Sequence, residues 1–307
     1  MTRAPSLTRI LSRLVDRATS TIERAGALDP AADLVDRVAS AIPAGPVKDT
    51  LSGVALGHPA HPMLVTVPIG AVTSAVVLDV LGDDQRAARR LVGLGLLSAV
   101  PAALSGLSDW SDTRGAERRV GVAHLALNAA GLGLLGASWW VRRPDAAGGP
   151  GHRAAGPVLS LAGLSLLGGS GWLGGHLSYA MGVGVDTTAF QRPATTWSDA
   201  VAADDLVEGQ PVAVLVEDMS VLLVRADGVV RALADRCTHR GAPLHEGTVV
   251  DGCIECPWHA SRFDLVDGSV VRGPATRPAP VFETRVVDGR VQVRRDEERT
   301  LRLNPTS

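Results

Sequence analysis

The chain changes its hydrophobic rhythm near residue 186. Apolar residues come in long, sparsely charged runs before it and in short runs broken by Asp-Gly pairs after it. Four of the long runs, 63–81, 91–107, 120–141 and 157 to about 185, have the length of a helix that crosses the roughly 30 Å apolar core of a bilayer. The connections 82–90, 108–119 and 142–156 are short and charged, which predicts antiparallel neighbours. Small residues punctuate the runs at Gly93, Gly95, Ala129, Gly133, Gly171 and Gly175. Lipid gives helices no hydrophobic reward for touching, so close backbone approach at small residues is what holds such a bundle together.

Ahead of these runs, Leu7, Ile10, Leu11, Leu14, Val15 and Ile22 recur at helical spacing, with Arg9, Arg13 and Arg17 on other faces. The pattern fits a basic amphipathic helix on a membrane surface, or a loosely attached solvated one. A shorter helical pattern, Leu34, Val35, Val38 and Ile42, follows Pro30. No uninterrupted apolar core follows the early arginines, so the stretch does not read as a secretory signal.

Beyond a polar segment at 186–200 that contains Pro193, the β-rich runs are 212–216, 221–225, 229–233, 248–250, 262–265, 281–287 and 291–294. Asp-Gly pairs stand at Asp227-Gly228, Asp251-Gly252, Asp267-Gly268 and Asp288-Gly289, each a strong hairpin signal. The fold class is therefore multidomain: an all-α transmembrane four-helix bundle followed by a small all-β antiparallel domain. The reading divides the chain into an amphipathic N-terminal region (1–50), a membrane domain (51–186), a linker (187–196), a β domain (197–297) and a tail (298–307).

At 307 residues the chain is long enough for two domains, and its net charge of −2 provides no basic stripe, which argues against a nucleic-acid partner. All three cysteines lie between 237 and 256, so there is no disulfide framework to read. They do fall in a chemical pattern: Cys237-Thr238-His239, sixteen residues, then Cys256-Pro257-Trp258-His259. Two thiolates and two imidazoles hold either zinc or a cluster with Cys₂ on one iron and His₂ on the other. A zinc finger supplies its cysteines as one pair and its histidines as another. Here each pair is mixed, so two loops would each bring one sulfur and one nitrogen.

The stretches Cys237-Thr238-His239-Arg240-Gly241-Ala242-Pro243-Leu244 and Cys256-Pro257-Trp258-His259-Ala260-Ser261-Arg262-Phe263-Asp264, with Gly273-Pro274-Ala275, resemble the Rieske [2Fe-2S] proteins over about 197–295. The resemblance implies that Cys237 and Cys256 hold one iron and His239 and His259 the other. Pro257, Trp258, Ser261 and Pro274 would surround the cluster, with Gly273-Pro274-Ala275 as the proline loop that covers it. Ala242 and Trp258 stand where the respiratory-chain branch has two further cysteines, and Phe263 stands where that branch has a tyrosine. The chain thus resembles the ferredoxin and oxygenase-associated branch. A potential at the low end of the Rieske range, roughly −150 to +300 mV, is expected. Cys253 reads as a packed strand residue, and His245 as a residue at the surface or just behind the ligands.

The membrane half is similar to a family of small bacterial four-helix membrane proteins of unassigned role, through Gly57-His58-Pro59-Ala60-His61-Pro62-Met63-Leu64-Val65-Thr66-Val67-Pro68-Ile69-Gly70 and Gly174-Gly175-His176-Leu177-Ser178-Tyr179-Ala180-Met181-Gly182-Val183-Gly184-Val185. This implies a multi-pass protein of a bacterial cell membrane. Four spans leave both termini on one side, and His58, His61, His124 and His176 are expected to converge near it, with Asn128 one turn beyond His124. Ionisable residues in a membrane segment mark function by default. Three readings stand: a b-type haem between His124 and His176 or a metal; a quinone pocket lined by His58, His61 and Tyr179; or interhelical hydrogen bonding.

Lys48, Arg114, Arg118, Arg119 and Arg192 on one side nearly balance Arg86, Arg89, Arg90, Arg142, Arg143 and Arg153 on the other. The arginines of the N-terminal helix favour a cytoplasmic β domain, as does the need of a folded cluster domain for a twin-arginine export route. With 48 residues after His259, no catalytic mononuclear-iron domain fits. The expectation is a membrane-anchored carrier of single electrons serving a reductase, an oxygenase or a membrane acceptor. The alternatives are a redox-sensing scaffold and a two-centre electron conduit. The sequence assigns no oligomeric state.

Overall fold

The computed structural model describes residues 7–82, 84–143 and 150–295. The 298–307 tail, part of the 142–156 connection, and the side chains of Leu7, Arg9, Ile10, Leu11 and Arg153 lie outside what it describes. The chain falls into two compact units, Met1–Ile42 with His61–Val183 and Pro43–Ala60 with Gly184–Ser307. Residues 43–60 therefore group with the β domain, whereas the hydrophobic pattern alone divides them between the N-terminal region and the membrane domain.

The helical unit contains α1 (Leu7–Arg24), α2 (Asp29–Ala39), α4 (Ala60–Leu64), α5 (Thr66–Leu81), α6 (Gln85–Trp110), α7 (Ala116–Val141) and α8 (Pro150–Tyr179). Four of its spans, with α4 and α5 counted as one, are long and apolar enough to cross a membrane. The first is interrupted at Val65 because Pro68 has no N–H to give the carbonyl of Leu64. Val65 N–H to His61 O (3.1 Å) and Ile69 N–H to Val65 O (3.2 Å) continue the ladder on either side. The second span starts earlier than its apolar run, at Gln85, because the Asp84 carboxylate accepts the Arg86 N–H at 2.7 Å and caps the helix. The fourth ends at Tyr179 rather than near 185, where Gly182 and Gly184 take left-handed φ values of 73° and 76°.

Close packing in the bundle does use small residues, but only some of those the spacing nominated. A side chain at Gly95 would come within 2.7 Å of Val72. One at Gly131 or Gly163 would come within 3.0 Å of the other's carbonyl oxygen, so α7 and α8 touch there backbone to backbone. Gly133 and Gly171 face open space. Helices α1 and α2 pack on α7: Arg119 binds both Asp29 oxygens (2.6 and 2.9 Å) and Glu23 O (2.9 Å), and Arg118 binds Asp36 at 2.7 Å. Ala32, Ala39, Trp110 and Val122 form a small core beside these contacts.

The β unit has α3 (Pro46–Ser52) and ten strands: β1 (Ser198–Ala202), β2 (Val212–Val216), β3 (Met219–Ala226), β4 (Val229–Ala234), β5 (Thr248–Val250), β6 (Cys253–Glu255), β7 (Arg262–Asp264), β8 (Val270–Arg272), β9 (Val281–Val287) and β10 (Arg290–Arg295). Six form one antiparallel sheet, β1-β10-β9-β4-β3-β2, and four form another, β5-β6-β7-β8. Strand β3 is buried on both faces, since alternate side chains serve different cores. Leu222 and Val224 pack with Ile254 and Phe263 of the smaller sheet, while Val221 and Leu223 pack with Phe282, Val291 and Val293. Asp227, Asp251 and Asp288 take φ values near 50° in two-residue turns, as the Asp-Gly pairs predict. The sequence did not disclose β1, β6 and β8. The last two are three residues long.

Candidate metal centre

The two motif loops, 237–242 between β4 and β5 and 256–261 between β6 and β7, are built alike. In the first, Cys237 N–H bonds Ala242 O (2.9 Å) and Gly241 N–H bonds Cys237 O (2.8 Å). In the second, Cys256 N–H bonds Ser261 O (2.8 Å) and Ala260 N–H bonds Cys256 O (3.1 Å). The fifth residue of each loop is left-handed, Gly241 at φ 76° and Ala260 at φ 59°. Outer contacts fix both loops: Thr187 Oγ1 donates to Cys237 O (2.8 Å) and Thr238 Oγ1 to Arg277 O (2.8 Å). Arg272 holds Ala260 O through two nitrogens at 2.9 and 2.6 Å and also binds Glu255.

The loops sort their donors by element. Cys237 and Cys256 are both buried, and their thiols share a hydrogen bond. That bond pushes Cys237 up and, against the opposing effect of burial, holds Cys256 down to about 7. Backbone N–H groups of His239 and Arg240 point at the Cys237 sulfur, and those of Trp258 and His259 at the Cys256 sulfur. The His239 and His259 rings lie 5.0 Å apart, edge to face, and their Nδ1 atoms are buried with no hydrogen bond. Burial, then the charges of His259, Arg240 and Lys48, holds His239 well below the usual imidazole range, so its ring is neutral as a metal ligand must be.

Two sulfurs together and two ring nitrogens together fit a two-iron cluster ligated unequally. Among the described residues no three His, Cys, Asp or Glu side chains converge on one point, as a single zinc ion would require. Around the loops, Pro257 and Trp258 are exposed, and Pro274 is buried behind a cis peptide bond to Gly273. Ser261 is fully buried and accepts the Ala275 N–H at 2.9 Å. Cys253 is a buried strand residue whose thiol points to Asp251 O at 3.7 Å. His245 bonds the buried carboxylate of Asp235 at 2.7 Å.

The membrane histidines do not form the expected cluster. His61 and His124 meet edge to face at 6.4 Å, their rings accommodated by Gly106 and Gly174. His61 Nδ1 bonds Ala102 O at 2.8 Å. His124 Nδ1 donates to Ser170 O at 2.7 Å, and its Nε2 accepts from Asn128 at 3.0 Å, so both ring nitrogens are engaged. His176 turns instead to Glu23 (2.8 Å) and stacks on Trp172. His58 belongs to the β unit, and Tyr179 is 91% exposed rather than lining a pocket. A second polar cluster lies in the bundle, at residues that no sequence motif singles out. Arg142 binds both oxygens of Asp79 (2.7 and 2.5 Å) as well as Gln85, Ser138 and Ser160, with the pair's side chains 2% and 3% exposed. A lone acid inside the first apolar run was the available signal.

A small β domain that presents paired thiols and paired imidazoles on two matched loops is an iron–sulfur module. The profile described as "Rieske [2Fe-2S] domain" matches residues 196–283, and that described as "Predicted membrane protein (DUF2231)" matches residues 57–187. The anthranilate 1,2-dioxygenase ferredoxin subunit of Burkholderia cepacia is 36% identical over 97 residues, 32% of this chain and 90% of the relative. The ferredoxin component of the naphthalene 1,2-dioxygenase system of Pseudomonas putida is 32% identical over 97 residues, 93% of its length. Among solved structures, the ferredoxin of carbazole 1,9a-dioxygenase from Nocardioides aromaticivorans IC177 is 29% identical, with 33% of this chain and all of that one covered and a TM-score of 0.32. The chain belongs to the Rieske [2Fe-2S] family and joins that domain to a DUF2231 membrane domain.

Proposed function

We propose that the chain is a membrane-anchored Rieske protein that carries single electrons to or from a redox partner, with Cys237 and Cys256 on one iron and His239 and His259 on the other. The observation that carries this reading is the sorting of sulfur from nitrogen in the paired loops. When bound, the cluster supplies one-electron oxidation and reduction. The chain's own part is to hold its donors neutral or thiolate as required and to direct four backbone N–H groups at the sulfurs, which favours the more negative, reduced state. Phe263, fully buried, offers no hydroxyl to add to them, in keeping with a potential at the low end of the Rieske range. Trp258, 45% exposed and set against the His259 ring, is the contact we assign to the partner.

The relatives are ferredoxin components of dioxygenase systems, which supports a reductase or an oxygenase as that partner. We place the cluster domain on the cytoplasmic face, for the charge and export reasons given above. The bundle histidines act as interhelical hydrogen-bonding groups rather than as haem or quinone ligands, on the strength of the partners found for His61 and His124. The test is the full chain purified in detergent after anaerobic expression with iron. A red-brown protein whose reduced form gives a rhombic EPR signal with mean g below the free-electron value is expected, and His259→Ala should abolish it. A colourless protein containing zinc would overturn the assignment.

A further inference from the structure

The proline loop is held on both sides of Pro274. On one side the Ala275 N–H is bound by Ser261, within the domain. On the other, the Gly273 N–H is bound at 2.9 Å by the Asp49 carboxylate, some 220 residues earlier in sequence. Asp49 lies on α3, a short helix that starts with Pro46 and closes at Gly53, a residue with φ 87° where any side chain would strike the carbonyl of His58. The following turn, Val54–Leu56, sets Val54 against Gly273 so closely that a Cβ there would come within 2.6 Å. Arg277, beyond the loop, reaches Gly57 O.

The ferredoxin relatives are matched over 97 residues, about nine-tenths of their own length, which leaves about a tenth of each outside the match. We propose that residues 43–60 are a clamp on the proline loop and that Asp49 is a positioning residue for the cluster. This rests on the cluster assignment above. The clamp covers the loop and is followed in the chain by the first membrane span. It leaves the Pro257 and Trp258 side as the open approach for a partner.

The experiment compares the full chain with its Asp49→Ala and Asp49→Asn variants in detergent, by hydrogen exchange of the 270–276 segment and by the rate at which an iron chelator bleaches the visible absorbance. Losing one hydrogen bond should speed exchange in Asp49→Ala roughly five- to tenfold. Bleaching should accelerate in parallel, while the EPR spectrum of the remaining cluster is unchanged. Asp49→Asn, which keeps an acceptor oxygen, should behave like the parent. Unchanged exchange at 270–276, or acceleration spread equally over β3 and β4, overturns the proposal. The exchange arm reads the clamp even if the bound metal proves to be zinc, so the failure of one reading is distinguishable from that of the other.

Discussion

At the scale of single residues, the two ligand loops share one hydrogen-bond plan, yet their fifth positions differ. Gly241 occupies the left-handed region at no steric cost, whereas Ala260 at φ 59° sets its Cβ against its own backbone. The strain persists because Arg272 grips Ala260 O and the next residue, Ser261, is held through its hydroxyl by the Ala275 N–H. Ala260→Gly should therefore stabilise the domain by about 1 kcal/mol, after allowing for the extra freedom glycine gives the unfolded chain. Denaturant melts of the full chain that follow the β domain by its cluster absorbance would show the shift, and the EPR signal should keep its g values. The residues proposed as cluster ligands were legible because chemistry fixes their types and spacing. Asp49 was not, because a carboxylate two hundred residues away in sequence leaves no local trace of its partner.

The elements divide in the same way between what local pattern discloses and what only packing decides. Long apolar runs and Asp-Gly turns located the spans and three hairpins, since helix length and a positive φ each leave a sequence signature. Helix ends moved where a cap or a glycine intervened, at Asp84 and at Gly182. Two predictions belong here. The Asp79–Arg142 pair joins α5 to α7 with both side chains out of solvent, so Asp79→Ala or Arg142→Ala alone strands a buried charge and should cost about 3–5 kcal/mol. The double replacement by leucine should cost less, as thermal melts in detergent would show.

The second prediction concerns α1 and α2, tied to α7 through Asp29. The hydrogen bond from Arg119 holds the Asp29 carboxyl below its ordinary value. A depressed carboxyl stabilises docking fully above the unfolded pKa of about 4 and loses that contribution as pH falls through the lower folded value. Protection from exchange in α1 and α2, taken relative to the intrinsic rate at each pH, should therefore fall below about pH 4, and Asp29→Asn should show lowered protection at neutral pH with a smaller further loss on acidification, since Asp36 and Glu23 also tie these helices down.

For the whole molecule, the arginines that nearly balance in sequence are not equivalent charges in the fold. Arg118, Arg119 and Arg142 sit in ion pairs, and Arg89 and Arg143 lie over Trp139 and Trp140, where indole rings mark a membrane interface. What the molecule offers for redox chemistry is equally uneven. In the β unit two sulfurs and two buried Nδ1 atoms stand on paired loops, while in the helical unit both nitrogens of His124 are engaged and His176 is paired with Glu23. A reductive titration of the purified full chain, followed by cluster absorbance and EPR spin count, should then take up one electron per chain. His124→Leu removes hydrogen bonds to Asn128 and Ser170, so it should lower the melting midpoint of the bundle and leave both the electron count and the visible spectrum unchanged. An uptake of two electrons, with one lost in that variant, would instead place a second redox centre among the membrane helices and make the chain a conduit rather than a carrier.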